Sequence, residues 1–123
     1  MNNLAQASTK RHKNLVTIAG VIANDPIVRS TPTGKTVTSA SICCAVTAKT
    51  KTFIRAVAWE DLADLLGGFR KGDFVEVNGR IQARSWEDAS GEKRYITEVV
   101  ISSIAGHDAV ADVRVEASVD DLF

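Results

Sequence analysis

Apolar side chains recur at every second position along most of this 123-residue chain, which is the period of a β-strand with one buried face. Four apolar residues of segment 36–47 share one predicted inward face: Ala40, Ile42, Cys44 and Val46. Val, Ile and Thr together supply 33 residues, a composition that favours strands over helices. We therefore predict that the chain folds mainly as β-sheet around one hydrophobic core.

Five segments carry the alternation and are predicted strands: residues 15–23, 36–47, 52–59, 73–86 and 93–104. The fourth of them is predicted to turn Val75, Val77, Ile81 and Ala83 inward. Pro26 is predicted to break the first strand, because proline lacks the N–H that a ladder needs, and a turn is expected after it. Segment 60–69 changes to a helical spacing, set by Leu62, Leu65, Leu66 and Phe69. The order predicts an all-β protein, a five-stranded OB-fold barrel with one short helix between strands 3 and 4; such barrels bind oligonucleotides or oligosaccharides.

The formal net charge is zero, but it is divided unevenly along the chain. Residues 1–104 carry fourteen Lys and Arg against ten Asp and Glu, whereas residues 105–123 carry one basic and five acidic residues. A mildly basic body suits a polyanion, and an acidic tail suits solvent or a basic partner. We predict a polar segment at 1–13, an OB-fold domain at 14–105 and a flexible acidic tail at 106–123. No apolar run spans a membrane and the first residues are polar, so we expect a cytoplasmic protein.

The placement of the cysteines, histidines and acidic residues disfavours disulfide pairing, metal binding and catalysis. Cys43 and Cys44 are adjacent, so a strand would point them to opposite faces and keep them from pairing with each other. Both histidines lie in polar terminal segments, which leaves no ligand set for a metal and no Cys/His nucleophile. An enzyme using Glu60, Asp61 or Asp64 as acid or base would lack a second catalytic group at a definable distance. We therefore expect no enzyme activity, no metal and no cofactor.

Aromatic and cationic residues share the outward phase of the third and fourth predicted strands: Phe53, Arg55 and Trp59 on the third, and Arg80, Arg84 and Trp86 on the fourth. Rings stack on unpaired bases and cations neutralise phosphates, so this combination is typical of a single-stranded nucleic-acid groove. A phase error of one residue would instead place Phe53 and Trp59 in the core.

Further cations at loop and strand ends are predicted phosphate contacts: Lys35, Lys49, Lys51, Arg70, Lys71, Lys93 and Arg94. Each is weak evidence alone, because a lone lysine is usually a solvated surface residue. Together they lie around the predicted groove, where flexible point charges can follow a phosphate backbone, and this grouping favours phosphate binding.

An ordered series of motifs over about residues 14–104 resembles the bacterial single-stranded DNA-binding proteins. The motifs lie at residues 14–16 (NLV), 25–29 (DPIVR), 31–34 (TPTG), 53–57 (FIRAV), 69–73 (FRKGD), 77–81 (VNGRI), 84–86 (RSW) and 91–99 (GEKRYITEV). The resemblance implies an OB-fold protomer, usually a homotetramer, that coats single-stranded DNA in replication, recombination and repair and is therefore nucleoid-associated. It implies base stacking by Phe53, Trp59 and Trp86, and it matches Arg55 to the family's strand-three arginine.

The last four residues, Asp120, Asp121, Leu122 and Phe123, are similar to the family's acidic tip, which recruits replication, recombination and repair enzymes. An ordinary acidic chain end is the alternative. The chain departs from the family in a short connection at 48–51 without an aromatic, in lacking the long Gly/Pro/Gln-rich linker, and in lacking a proline before Phe123. These departures fit an accessory, plasmid or phage member.

Together these features predict a non-enzymatic protein that binds single-stranded DNA with little sequence preference, protects it, associates with itself and recruits partner enzymes. The alternative is an OB-fold interaction adaptor of a replication or repair complex that binds little DNA of its own. Weak and salt-insensitive binding to oligonucleotides would indicate the adaptor.

Overall fold

A computed structural model of the chain describes residues 10–106 as six strands and one helix. The strands are β1 (Val16–Ile22), β2 (Ile27–Ser30), β3 (Thr36–Thr47), β4 (Thr50–Trp59), β5 (Phe74–Glu87) and β6 (Lys93–Gly106). The helix, α1 (Asp61–Gly67), lies between β4 and β5. Most of the predicted segment 1–13, and the predicted tail beyond Gly106, lie outside the described residues.

Five of the strands close into a barrel. Their hydrogen-bonded order is β1-β5-β6-β4-β3, and β3 completes the ring by pairing with β1 at Ile22–Ile42. β4 and β6 run parallel, while the other neighbours run antiparallel. A closed five-stranded barrel with one helix is the OB architecture. The predicted all-β, OB-fold class is therefore confirmed.

Strand β2 is the element that the sequence pattern missed. β1 ends before Pro26 as predicted, but residues 27–30 then pair with the start of β3, with Ile27 opposite Ser39. All four residues of β2 are exposed, so the segment lacks the buried alternate face that periodicity detects. β2 adds an edge outside the ring, and α1 follows the fourth strand of the structure at the place in the chain where a helix was predicted.

Alternate residues of the strands build the core inside the barrel: Ile18, Ile22, Ala40, Ile42, Ala56, Ala58, Val75, Val77, Val99 and Ile101. α1 packs on this core through the fully buried Leu66, and the buried Thr38 hydroxyl donates to the Ala63 carbonyl at 2.9 Å. A smaller cluster outside the barrel contains Val21 and Cys43. Cys44 packs instead against the main core, so the two free cysteines face opposite sides as predicted.

Some predicted inward positions are exposed, because the long strands run past the barrel. Beyond the pair Gln82–Glu98, where neither β1 nor β4 pairs with them, β5 and β6 continue as a two-stranded hairpin, called the arm below (residues 83–97). Ile81 and Ala83 keep the inward phase of β5 but are exposed, Ile81 at the base of the arm and Ala83 on it. Val46 is exposed at the register shift between Ala45 and Thr47. The alternation therefore predicted the strands correctly but not where the core ends.

Glu60 joins β4 to α1 with a backbone conformation that residues with a side chain rarely adopt, φ 57° and ψ −123°. Its N–H donates to the Thr36 carbonyl at 2.9 Å, and its own carbonyl accepts from the Ala63 N–H at 2.9 Å, so hydrogen bonds hold this geometry from both sides. We expect Glu60→Gly to raise the free energy of unfolding by about 1 kcal/mol, because glycine enters this region without a steric cost. Denaturant unfolding measures the gain.

Glu60→Ala is the matched control for this prediction. Alanine also removes the carboxylate, but it keeps the Cβ that causes the strain. The glycine variant should therefore be more stable than the alanine variant, and equal stability of the two would contradict the assignment of strain to this residue.

Candidate functional site

The outward side of β4, β6 and β5 carries the predicted aromatic and arginine residues. β6 is the parallel neighbour of β4, with Ala56 beside Val99, and β5 is the antiparallel neighbour of β6, with Gln82 opposite Glu98. Paired residues of adjacent strands point to the same side of a sheet. The registers therefore define one continuous surface, called the outer face below, by these residues: Phe53, Arg55, Trp59, Arg80, Arg84, Trp86 and Glu98.

The three predicted aromatic residues are exposed on this surface. Phe53 is 55% exposed, Trp59 40% and Trp86 43%. In β4 the intervening residues Ala56 and Ala58 are fully buried in the core. The outward phase of β4 is thus established, and the alternative that placed Phe53 and Trp59 in the core is wrong. Grouped exposed rings are unusual on a protein surface and mark it as a candidate binding face.

A buried carboxylate joins arginines from two strands of the outer face. Glu98 exposes only 3% of its side chain; it accepts from Arg55 Nε at 3.0 Å and from Arg84 Nε at 2.7 Å. A buried charge requires such partners. Two guanidiniums against one carboxylate leave this part of the outer face positive. Glu98 was not among the predicted site residues, because its only signal in the sequence is an acid directly before two valines of a strand.

The arm places a cation against an exposed ring. The Arg84 guanidinium carbon lies 5.1 Å from the centre of the Trp86 ring, within range of a cation–π interaction. Arg94 is opposite Trp86 in the ladder and so lies on the same side of the arm. Arg84 therefore contacts both the buried Glu98 and the exposed Trp86, which links the middle of the outer face to the arm.

The loop at the end of the arm is organised by Asp88. Its carboxylate accepts from the Ser90 hydroxyl at 2.8 Å, from Arg94 Nε at 2.8 Å and from the Glu92 N–H at 3.0 Å. The bonds from Ser90, Arg94 and Glu92 lower the pKa of Asp88 from 3.8 to about 2. Because the pKa is lowered, the ionised carboxylate stabilises the folded loop above about pH 4, and this stabilisation is lost as the pH falls through about 2. At neutral pH these hydrogen bonds therefore hold the loop after Trp86 in its conformation.

Three of the predicted lysines lie near the borders of the outer face. Lys51 shares the phase of Phe53 on β4, and Lys49 lies in the turn between β3 and β4. Lys35 directly precedes β3, whose residue Val37 pairs with Trp59. These positions extend positive charge along both ends of β4.

Other predicted cations lie elsewhere. Lys93 has the opposite phase to Arg94, so it points to the other side of the arm. Arg70 and Lys71 lie in the loop between α1 and β5, where the Arg70 N–H donates to Asp73 and the Lys71 N–H donates to Asp25. The Asp25 contact places this loop beside the connection between β1 and β2 rather than on the outer face. The phosphate-binding roles of all three stay predictions.

Two features near the outer face were not anticipated. Tyr95 is 74% exposed, and its pairing with Ser85 places it on the opposite side of the arm from Trp86. A cavity of about 240 Å³ opens beside Phe53 and Arg55; most of its lining is apolar, from Val16, Ile18, Ile54, Ile81 and Val99. Within residues 10–106 no group of three potential metal ligands is found, and no helix there is long and apolar enough to cross a membrane.

The fold and its outer face define an OB barrel that presents aromatic rings together with arginines. The chain belongs to the single-strand binding protein family, whose model matches residues 13–106. A similar protein is single-stranded DNA-binding protein 2 of Listeria innocua, 34% identical over 98 residues that cover 74% of this chain and 62% of the relative. Single-stranded DNA-binding protein 1 of Chlorobaculum tepidum is 34% identical over 104 residues, 76% of this chain and 64% of the relative. The chain therefore spans a little over three fifths of the length of these relatives.

A solved structure described as the Plasmodium falciparum SSB complex with ssDNA has the same fold. The two structures superpose with a TM-score of 0.71 at 20% sequence identity, and the match covers 80% of this chain and 98% of the other. This similarity independently supports the OB architecture.

Proposed function

We propose that this protein binds single-stranded DNA with little sequence preference and acts without catalysis. The observation that carries the proposal is the outer face, where Phe53, Trp59 and Trp86 are exposed beside Arg55 and Arg84. Rings stack on unpaired bases of any sequence, and arginines neutralise phosphates. Relatives named single-stranded DNA-binding proteins support the same function.

The same arrangement favours a single strand over a duplex. In a duplex the base faces are stacked on one another, so exposed rings have nothing to stack on. A single strand offers those faces and keeps its phosphates available to the arginines. Protection of single-stranded DNA then follows, because bound bases are covered by protein.

We also propose that the protein acts as a homo-oligomer, most simply a homotetramer. The resemblance to single-stranded DNA-binding proteins supports this assembly. One 123-residue chain offers a small binding face, and a strand that runs over several copies gains effective concentration without a new kind of contact.

Recruitment of replication, recombination or repair enzymes is proposed for the tip of the tail, Asp120, Asp121, Leu122 and Phe123, which lies outside the described residues. A terminal ring and carboxylate beside acidic side chains suit an apolar pocket with a basic rim. DNA coating and recruitment of this kind would occur on nucleoid DNA in the cytoplasm.

The proposal is tested with tryptophan fluorescence, since the chain has only two tryptophans and both lie on the outer face. Trp59→Phe leaves Trp86 as the sole indole, and Trp86→Phe leaves Trp59. We expect oligo(dT) to quench both single-tryptophan variants saturably, because each indole contacts a base. Duplex DNA of the same length is the control and should quench far less.

The adaptor alternative predicts a different result. An OB domain that only joins proteins would show no saturable quenching of either variant by oligo(dT). Quenching of Trp59 but not of Trp86 would remove the arm from the proposed binding face, while leaving β4 in it.

A further inference from the structure

We propose that Glu98 is a positioning residue for DNA binding, which holds Arg55 and Arg84 so that their remaining N–H groups face the phosphates of the bound strand. This inference rests on the proposed function. Glu98 lies on β6, between the two strands that carry the arginines, and contacts both. One carboxylate thus orients cations from two strands that do not pair with each other.

The hydrogen-bond pattern leaves the arginines available to a ligand. Both bonds to Glu98 run from Nε, at 3.0 Å for Arg55 and 2.7 Å for Arg84. A guanidinium carries five N–H donors in a planar fork, so donors on the two Nη atoms are left for phosphate oxygens. The arginine side chains are 35% and 44% exposed, whereas Glu98 is 3% exposed. The acid is therefore covered and the cations are presented.

A fixed arginine binds better than a mobile one, because its conformational freedom is lost on folding rather than on binding. Without Glu98, each long side chain would sample many rotamers over the outer face. The two guanidiniums would then have to be ordered by the DNA itself.

Charge alone and positioning predict opposite effects of removing this acid. Glu98→Gln makes the outer face more positive by one unit, which on electrostatic grounds alone strengthens binding to a polyanion. Arg55 bonds to one carboxylate oxygen of Glu98, Oε2, and Arg84 bonds to the other, Oε1. Glutamine replaces one of these oxygens with a donor amide, so one of the two arginines faces a donor and loses its bond. If Glu98 acts by positioning, the more positive variant binds more weakly.

The test compares oligo(dT) affinity for the parent, Glu98→Gln and Glu92→Gln over a series of salt concentrations. Glu92 is an exposed acid in the arm loop, so Glu92→Gln makes the same change in charge without touching the arginine pair. We expect Glu98→Gln to bind about tenfold more weakly than the parent, with a log–log salt slope smaller by about 0.7 for each lost phosphate contact. Glu92→Gln should bind as well as the parent or slightly better.

Arg84→Lys is a second variant that keeps the test decisive if Glu98→Gln fails to fold. It changes a half-exposed side chain and keeps the positive charge, so we expect it to fold. A lysine ammonium lacks the planar fork that can serve Glu98 and a phosphate together, so we expect several-fold weaker binding. Folded Glu98→Gln that binds as tightly as the parent or tighter overturns the inference, and so does Arg84→Lys at parental affinity. A parent that does not bind oligo(dT) overturns the proposed function and, with it, this inference. A parent that binds oligo(dT) while its folded Glu98→Gln variant binds equally well overturns the inference alone.

Discussion

Replacing Phe53, Trp59 and Trp86 together by alanine should lower the affinity for oligo(dT) by a factor of about one hundred or more. Each ring that stacks on a base contributes about 1–3 kcal/mol, and all three rings are exposed on the outer face. The arginines stay in place, so the residual binding should be electrostatic and should disappear as salt is raised. Equilibrium titration at one fixed salt concentration measures the loss.

The matched control for this prediction is Tyr95→Ala. Tyr95 is more exposed than any of the three rings but lies on the opposite side of the arm. The variant should bind oligo(dT) within about twofold of the parent if base stacking is confined to the outer face. A folded triple variant with near-parental affinity, or a Tyr95 variant as weak as the triple, would contradict the proposed site.

Gly79→Ala should destabilise the fold by about 3 kcal/mol or more, the largest single-residue effect on stability that we expect. A Cβ at this position would lie 2.1 Å from the Val100 carbonyl oxygen and 2.9 Å from its carbon. Both atoms belong to the backbone of β6, at the register shift between Asn78 and Gly79. No side-chain rotation can relieve the contact, so the β5–β6 pairing that supports the arm must shift.

Gly68→Ala provides the control for this substitution. Its backbone, with φ −83° and ψ −11°, is allowed for any residue, and the nearest atom to the added methyl group would be 3.4 Å away. Its stability should stay within about 0.5 kcal/mol of the parent. Urea unfolding compares the two variants, and similar stabilities would show that β6 yields to the extra methyl group at Gly79.

Most of the fold could be predicted from the sequence because burial imposes a period on each barrel strand. The phase of β4 was readable, since small apolar residues such as Ala56 and Ala58 alternate with Phe53 and Trp59. β2 was not readable, because an exposed edge strand needs no alternation. Exposure of Ile81 was also missed, since the inward phase of β5 continues past the end of the barrel core.

The residues of the candidate site also fall into those that could be predicted from the sequence and those that could not. Parity within each strand separates outward from inward side chains, so the three aromatic residues could be assigned to the outward side before any pairing was known. The contact between Arg55 and Glu98 joins residues 43 positions apart and depends on the parallel register of β4 and β6. No local pattern encodes that register. Glu98 was therefore found only when the strands were placed side by side.

Titration of the parent with oligo(dT) at several salt concentrations is the decisive test of single-strand binding by the outer face. We expect saturable binding whose log affinity falls linearly with log salt, with a slope of about −0.7 for each phosphate neutralised. Stacking of Trp59 and Trp86 predicts that fluorescence quenching follows the same isotherm. Binding that is weak and independent of salt, with no quenching, would contradict this function and favour an adaptor that joins proteins rather than DNA.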